Sequence, residues 1–591
     1  MKKSFALILA IIMVFSVCGT AFAAHTTNEV TELEAMNSDT SEYIAEQSYV
    51  LLENNGVLPI AKSGSIALFG SAAEYTIKGG TGSGDVNQRS RDHIGQAFEA
   101  AGYEIADPTW FAKMAAQPVG SGCMGASPKN DMEITDDELA EAAANTDTAI
   151  YAIARNAGEG SDRNVNSGNG SYMLNATELA NIAKICDAFE NVIVVYNTCV
   201  MDTSWQADFD IDAVVYMGNG GQRGSEALVN VLNGTTTPSG KLTDTWPVDF
   251  YDYPSAYDFG SQDGNTNTEW YTDGIYVGYR YFDTFGKEVK YEFGYGLSYT
   301  DFQIDVKSVE ADGENVTVKV AVTNIGDTYS GKEVVEVYFS APDGILEKPY
   351  QELAAYGKTD ELQPGETQIL TISFATTDMS SYDEDQAAYI MEAGDYIVRV
   401  GNSSRNTVAA AKIVLDETAV TEQLSNQMTL EPGAVLDLLS KADATPIANN
   451  DAEELQNAPV IKLAAADLPY ENNASTNDEE TITTYLFAED AADYTARDEI
   501  TLQTNTIAGV IDNAANPSGS NNTFNGYRTT TYAEVVEVVD PLPEGITKET
   551  AKLTDVLNGD ISMKQFIACL SVDELARLCV GGAGTIIETP D

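Results

Sequence analysis

Histidine is almost missing from this chain of 591 residues, which carries only His25 and His93. A Ser-His-Asp triad or an H-E-x-x-H zinc site needs histidine at the reacting centre, so both are all but excluded. Cations are scarce too: 32 Lys and Arg face 91 Asp and Glu, a net charge of −59. Nucleic acid is bound by clustered Lys and Arg that replace phosphate counterions, and it is excluded as a partner. An acid-rich surface suits a soluble, well-hydrated, extracellular protein. Cysteine is sparse, at Cys18, Cys123, Cys186, Cys199, Cys569 and Cys579. The spacing fits neither a zinc site nor a dense disulfide scaffold. Cys186, on a helical pattern, and Cys199, just after a strand, read as buried thiols. No metal or cofactor is expected. Past the N-terminus no apolar run reaches ~18 residues, so no membrane span is expected.

The N-terminus is the exception. Lys2 and Lys3 precede an apolar stretch from Phe5 to Val17, and Ala21-Phe22-Ala23 offers a small-residue cleavage site. Residues 1–23 read as a secretory signal, so secretion is expected.

The length predicts three to five domains. Residues 37–255 alternate strand and helix patterns. A helix is read over 40–55, with Tyr43, Ile44, Val50 and Leu51 on one face, stopped at Gly56. Strands are read at 66–70, 149–154, 192–196 and 213–217. Helices are read at 91–101, 176–189 and 224–232, with capping boxes at Thr135/Glu138 and Asn175/Glu178. Apolar strands alternating with helices predict a mostly parallel sheet covered on both faces. Residues 256–300 are a Tyr/Gly-rich connector whose aromatics pack loops or stack on flat ligand faces. From 301 to 416 the period falls to two, as in Val316, Val318, Val320 and Val322, which predicts a β-sandwich. Residues 417–550 read as an acidic linker or small irregular domain, with strands at 483–487 and 533–539. Capping boxes at Ser562/Gln565 and Ser571/Glu574 start short helices in 551–591. These cannot bury a core by themselves, and they read as the opening of a further domain.

The stretch on which the chain turns runs from Ala149 to Arg163. A buried strand breaks into a polar loop with Glu159 between Gly158 and Gly160. Ligands of open α/β sheets gather at the carboxyl ends of strands. Glu159 stands where a catalytic or binding acid would stand, and a solvated loop glutamate is the plainer alternative. The run Gly79-Gly80-Thr81-Gly82-Ser83-Gly84 lacks the Lys-Ser/Thr ending of a phosphate loop and opens onto no helix, so a flexible loop lining a site is the better reading.

Several motifs together resemble glycoside hydrolase family 3. They are Val50 to Pro59, Asn156 to Arg163, Pro238-Ser239-Gly240-Lys241-Leu242-Thr243 with Thr245-Trp246-Pro247, Gly274 to Asp283, and Phe293-Gly294-Tyr295-Gly296-Leu297-Ser298-Tyr299. The resemblance covers about 40–416. It implies an α/β-sandwich domain followed by a fibronectin type III-like β-sandwich. It also implies that 551–591, where Leu553 to Gly582 resembles the start of the family's (β/α)8 barrel, opens a barrel truncated here. The implied activity is hydrolysis of a β-glycoside or oligosaccharide by two carboxylates with retention. Glu159 matches the family's acid/base. The nucleophilic aspartate of the family stands in a Ser-Asp-Trp context that this sequence lacks, so this chain alone is expected to be inactive. Arg163 would orient Glu159 or a sugar hydroxyl, or else form a structural ion pair. Asp162, Asp85 and Arg89 are further candidates for the cleft. The rival expectation is a non-catalytic extracellular protein that binds carbohydrate or serves as a scaffold.

Overall fold

The computed structural model describes residues 29–80, 92–122, 125–157, 163–165, 171–257, 259, 271–426, 438–442, 444–474, 481–497, 500–506 and 526–579. Its first unit is a six-stranded sheet. The strands are β1 (Val50–Asn54), β2 (Ser65–Phe69), β3 (Glu104–Ile105), β4 (Thr148–Ala154), β5 (Asn191–Asn197) and β6 (Ala213–Tyr216). The order across the sheet is β1-β6-β5-β4-β2-β3. All neighbours are parallel except β1, which runs antiparallel to β6.

Alternation along the strands sends side chains to opposite faces. Ile150, Ala152, Ile193, Val195 and Val215 join a core with α1 (Glu32–Ser48), α2 (Ser71–Glu74), α3 (Ile94–Ala100) and α7 (Gly224–Leu232). Tyr151, Ile153, Val194, Tyr196 and Val214 join the opposite core with α4 (Pro108–Ala115), α5 (Asp136–Ala143) and α6 (Ala176–Ala188). Each fully buried Val, Leu or Ile contributes on the order of 1.5–3 kcal/mol, so both faces need their helices. The capping boxes at Thr135/Glu138 and Asn175/Glu178 form as read.

The expected helix over 40–55 is corrected. The helix ends at Ser48, and Val50–Asn54 is the edge strand paired with β6. Val50, Leu51 and Leu52 are wholly buried, whereas Tyr43 and Ile44 are exposed. A continuous apolar run of this length suits a strand buried on both faces, and a distant partner decides the matter. Cys199 is also corrected: it is exposed, and Cys186 is half-buried.

The connector packs as much as it links. Tyr276, Tyr281 and Phe282 form a small core around α8 (Tyr279–Thr284). The sandwich then pairs a three-stranded sheet with a five-stranded one. The first is β7 (Phe302–Ala311), β8 (Asn315–Asn324) and β11 (Thr367–Ala375), in the order β7-β8-β11. The second is β10 (Glu352–Lys358), β9 (Val334–Ser340), β12 (Gly394–Gly401), β13 (Thr407–Leu415) and β14 (Val460–Leu463), in the order given. Val316, Val318, Val320 and Val322 are fully buried in the core between them, as their period-two spacing requires.

Beyond the sandwich the chain doubles back over the connector. Leu439 donates to the Thr272 carbonyl (2.8 Å) and Ile447 to that of Asp283 (3.0 Å). Asp283 also accepts from Arg405 of the sandwich at 2.8 Å. Asp451 then closes a bidentate pair with Arg399 at 2.7 and 2.6 Å. A last small sheet takes the order β15 (Thr481–Phe487), β17 (Gly526–Val539), β16 (Ile500–Thr506). The strands read at 483–487 and 533–539 are thus parallel neighbours. The helix Met563–Cys569 lies against this sheet, with Phe566 buried. The described part of 551–591 therefore rests on the preceding segment.

Candidate functional site

Strands β4, β5 and β6 end together, and their last residues build one edge. Arg155 follows β4 and is buried. Its guanidinium meets Glu178 through two bonds of 2.8 Å, and Nε donates to the Ser171 carbonyl at 2.7 Å. Its backbone N–H reaches the Asn197 carbonyl at 3.2 Å. Glu178 does two jobs, because the same side chain accepts from the Asn175 N–H at 2.8 Å in the helix cap. A buried ion survives only with a partner of this quality.

Asn197 closes β5. Its Nδ2 donates to the carbonyls of Ile77 (2.8 Å) and Gly218 (2.7 Å), and its Oδ1 accepts from the Ile77 N–H at 2.6 Å. One buried amide thus ties the loop after α2 to the loop after β6. Gly221 adds a bond to the Lys78 carbonyl at 2.9 Å.

Arg163 sits on the far side of the loop that opens at Arg155. It donates to the Val200 carbonyl at 2.6 Å and lies over the Tyr172 ring, 5.8 Å from its centroid. Tyr172 in turn meets Asn164 (2.8 Å) and Asp202 (3.2 Å) through backbone bonds. Tyr216, at the end of β6, has its phenol pushed up to about 12 by burial and by the nearby Cys199 and Asp244, against the pull of Arg163. Burial also raises Tyr253, which feels the same Asp244 and Arg163. Arg163 thus lies among Tyr172, Tyr216 and Tyr253, with acids nearby, while Arg155 is locked to Glu178.

Behind the edge, Tyr151 donates its hydroxyl to Asp131. Burial pushes that carboxyl up to about 6. Asn181 holds the same segment through Met132 (2.8 Å) and Ile134 (3.0 Å).

Of the residues singled out in the sequence, Arg163 is placed at this edge. Glu159, Asp162, Asp85 and Arg89 lie outside the described residues, as does most of the glycine run after Gly80. Sequence reasoning missed Arg155, Glu178 and Asn197. Arg155 was visible as an arginine directly after a fully apolar strand, a position that demands a buried anion. Asn197 left no such mark. His93 stands at the N-terminus of α3, and its Nδ1 accepts from the Thr76 N–H at 3.0 Å. Among the described residues no cluster of His, Cys, Asp and Glu could hold a metal, and no helix is long and apolar enough to cross a membrane.

The sheet, its carboxyl edge and the appended sandwich define a class. Residues 49–279 match the glycosyl hydrolase family 3 C-terminal domain, and 333–404 match the fibronectin type III-like domain. The chain belongs to glycosyl hydrolase family 3. It is 36% identical over 410 residues to a β-glucosidase of Ruminococcus albus, covering 66% of this chain and 42% of that protein. It is 37% identical over 434 residues to β-glucosidase A of Butyrivibrio fibrisolvens, covering 65% and 51%. Among solved structures, a β-glucosidase from Paenibacillus barengoltzii superposes with a TM-score of 0.65 at 29% identity, covering 91% of this chain and 54% of that one. β-Glucosidase 3B from Thermotoga neapolitana, in complex with glucose, superposes with a TM-score of 0.60 at 34% identity, covering 66% and 55%. The chain spans about half the length of the relatives it matches. Among the described residues there is no closed barrel.

Proposed function

We propose that this chain supplies the acid/base half of a secreted, retaining β-glycosidase acting on a β-linked glucoside or xyloside. Glu159 gives its proton to the departing glycosidic oxygen and later takes one from water, while a carboxylate on a barrel domain attacks the anomeric carbon. A general acid working near neutral pH needs a raised pKa, from burial or from a neighbouring negative charge. One observation carries the reading: both flanks of the Glu159 loop are pinned to the carboxyl edge of the sheet. Arg155 is locked by Glu178 on one side, and Arg163 is held by Val200 on the other. Positioning of this kind is what general acid catalysis requires of its support. Arg163 orients Glu159 or a sugar hydroxyl.

The test is hydrolysis of an aryl β-glucoside, first by this chain and then by this chain joined to a family 3 barrel domain. The 591 residues alone should turn over little or no substrate. With a barrel present, Glu159→Gln should lower the rate by roughly 10²–10⁴ on a substrate whose leaving group needs protonation. Robust turnover by the 591-residue chain, abolished by Glu159→Gln, would overturn the assignment of the nucleophile to another domain.

A further inference from the structure

Tyr251 and Tyr257 are exposed aromatics that touch each other. Their centroids are 5.2 Å apart with planes at 34°, and the two residues are 45% and 68% exposed. Single exposed apolar residues need no explanation, but an exposed cluster marks a surface that meets something.

The pair is continuous with the candidate site. Tyr251 meets the edge of Phe250 at 5.5 Å, and Phe250 meets Tyr172 at 5.2 Å. Tyr172 carries the Arg163 guanidinium over its face. The rings are also held in place. Asp249 accepts from the Tyr251 N–H at 2.9 Å, and Ala256 donates to the Tyr253 carbonyl at 3.2 Å. Tyr253 itself is anchored on the Thr245 carbonyl and against Phe282.

We propose that Tyr251 and Tyr257 form an aromatic platform that binds a β-gluco-oligosaccharide beside the reacting centre. The choice of sugar rests on the glycosidase reading above. In β-glucopyranose the ring hydroxyls are all equatorial. Each face therefore presents axial C–H groups, which pack flat on an aromatic ring. The carboxylates Asp249 and Asp252 flank Tyr251 in sequence, and carboxylates accept from hydroxyls and repel anions. In a chain of net charge −59 that selects a neutral polyol.

The experiment is calorimetric titration of cellotetraose into the 591-residue chain, with retardation in gels containing soluble β-glucan as a second readout. Saturable binding is expected. Tyr257→Ala should weaken it by about fivefold or more, while Tyr257→Phe, which keeps the ring, should stay within about twofold. A β-galacto-oligosaccharide, with its axial O4, should bind more weakly. No binding, an unchanged Tyr257→Ala, or a Tyr257→Phe as weak as Tyr257→Ala overturns the platform. The first of these results is the one expected if another domain covers the rings. The two readings fail separately. Lost sugar binding with intact turnover therefore sinks the platform alone, and turnover indifferent to Glu159 sinks the acid/base reading alone.

Discussion

The α/β unit and the sandwich each bury an arginine against a carboxylate, and the two pairs do different work. Arg155 and Glu178 are both almost fully buried, at the carboxyl edge where the candidate site lies. Arg399 is equally buried, but Asp451 keeps 17% of its side chain exposed and belongs to the returning segment beyond the sandwich. Arg399 also lies over Tyr350, 4.8 Å from the ring centroid. The first pair fixes the end of β4 against α6. The second fastens a passing segment from the side. Where a buried ion pair sits relative to the strand ends says more about its role than how well it is made.

Glu178→Ala should break the comparison most sharply. It strands a buried guanidinium and removes the reciprocal half of the capping box of α6, a loss of roughly 3–5 kcal/mol in urea unfolding of the α/β unit. Asp451→Asn should be milder, on the order of 1.5–3 kcal/mol, because solvent reaches its side of the pair. It should appear in hydrogen exchange as local opening of 446–463 with the rest of the sandwich protected. If both substitutions melt the whole chain alike, the distinction between the two pairs fails.

The smallest effect is a pH slope. Burial pushes Glu336 of the sandwich up to about 7 from 4.5, despite the hydroxyl of Tyr338 at 2.6 Å and the nearby Lys241; Glu333 and Glu292 raise it further. The folded state holds a proton that the unfolded state has already released. Its stabilisation is therefore full below about pH 4.5 and fades as pH rises to about 7. Glu336→Gln should flatten that part of the stability profile. Asp131, raised to about 6 from 3.8, should give the α/β unit a similar decline over a lower window. An unaltered slope in Glu336→Gln would show that the carboxyl is ionised in the folded state.

Much of this architecture was legible because it is local. Capping boxes such as Asn175/Glu178 and runs such as Val192 to Tyr196 carry their own instructions, and the valines of β8 declare their face by period alone. What was illegible is what distant partners decide. Val50 to Asn54 has an apolar run that suits either a helix or a buried strand, and its pairing with β6, from Val50↔Tyr216 to Asn54↔Ala213, decides between them. Arg155 could be read from its place after β4 and Glu178 from its cap, but their pairing, and the bonds of Asn197, are set by partners from other loops and helices. Arg163 could be nominated from its motif, but its hold on Val200 could not be read from spacing.

Ile447 and Arg405 both fasten to Asp283, just ahead of the sandwich. The chain thus comes back to the threshold of the sandwich before β14 completes the five-stranded sheet, so the entrance and the approach to the final strand share one doorway.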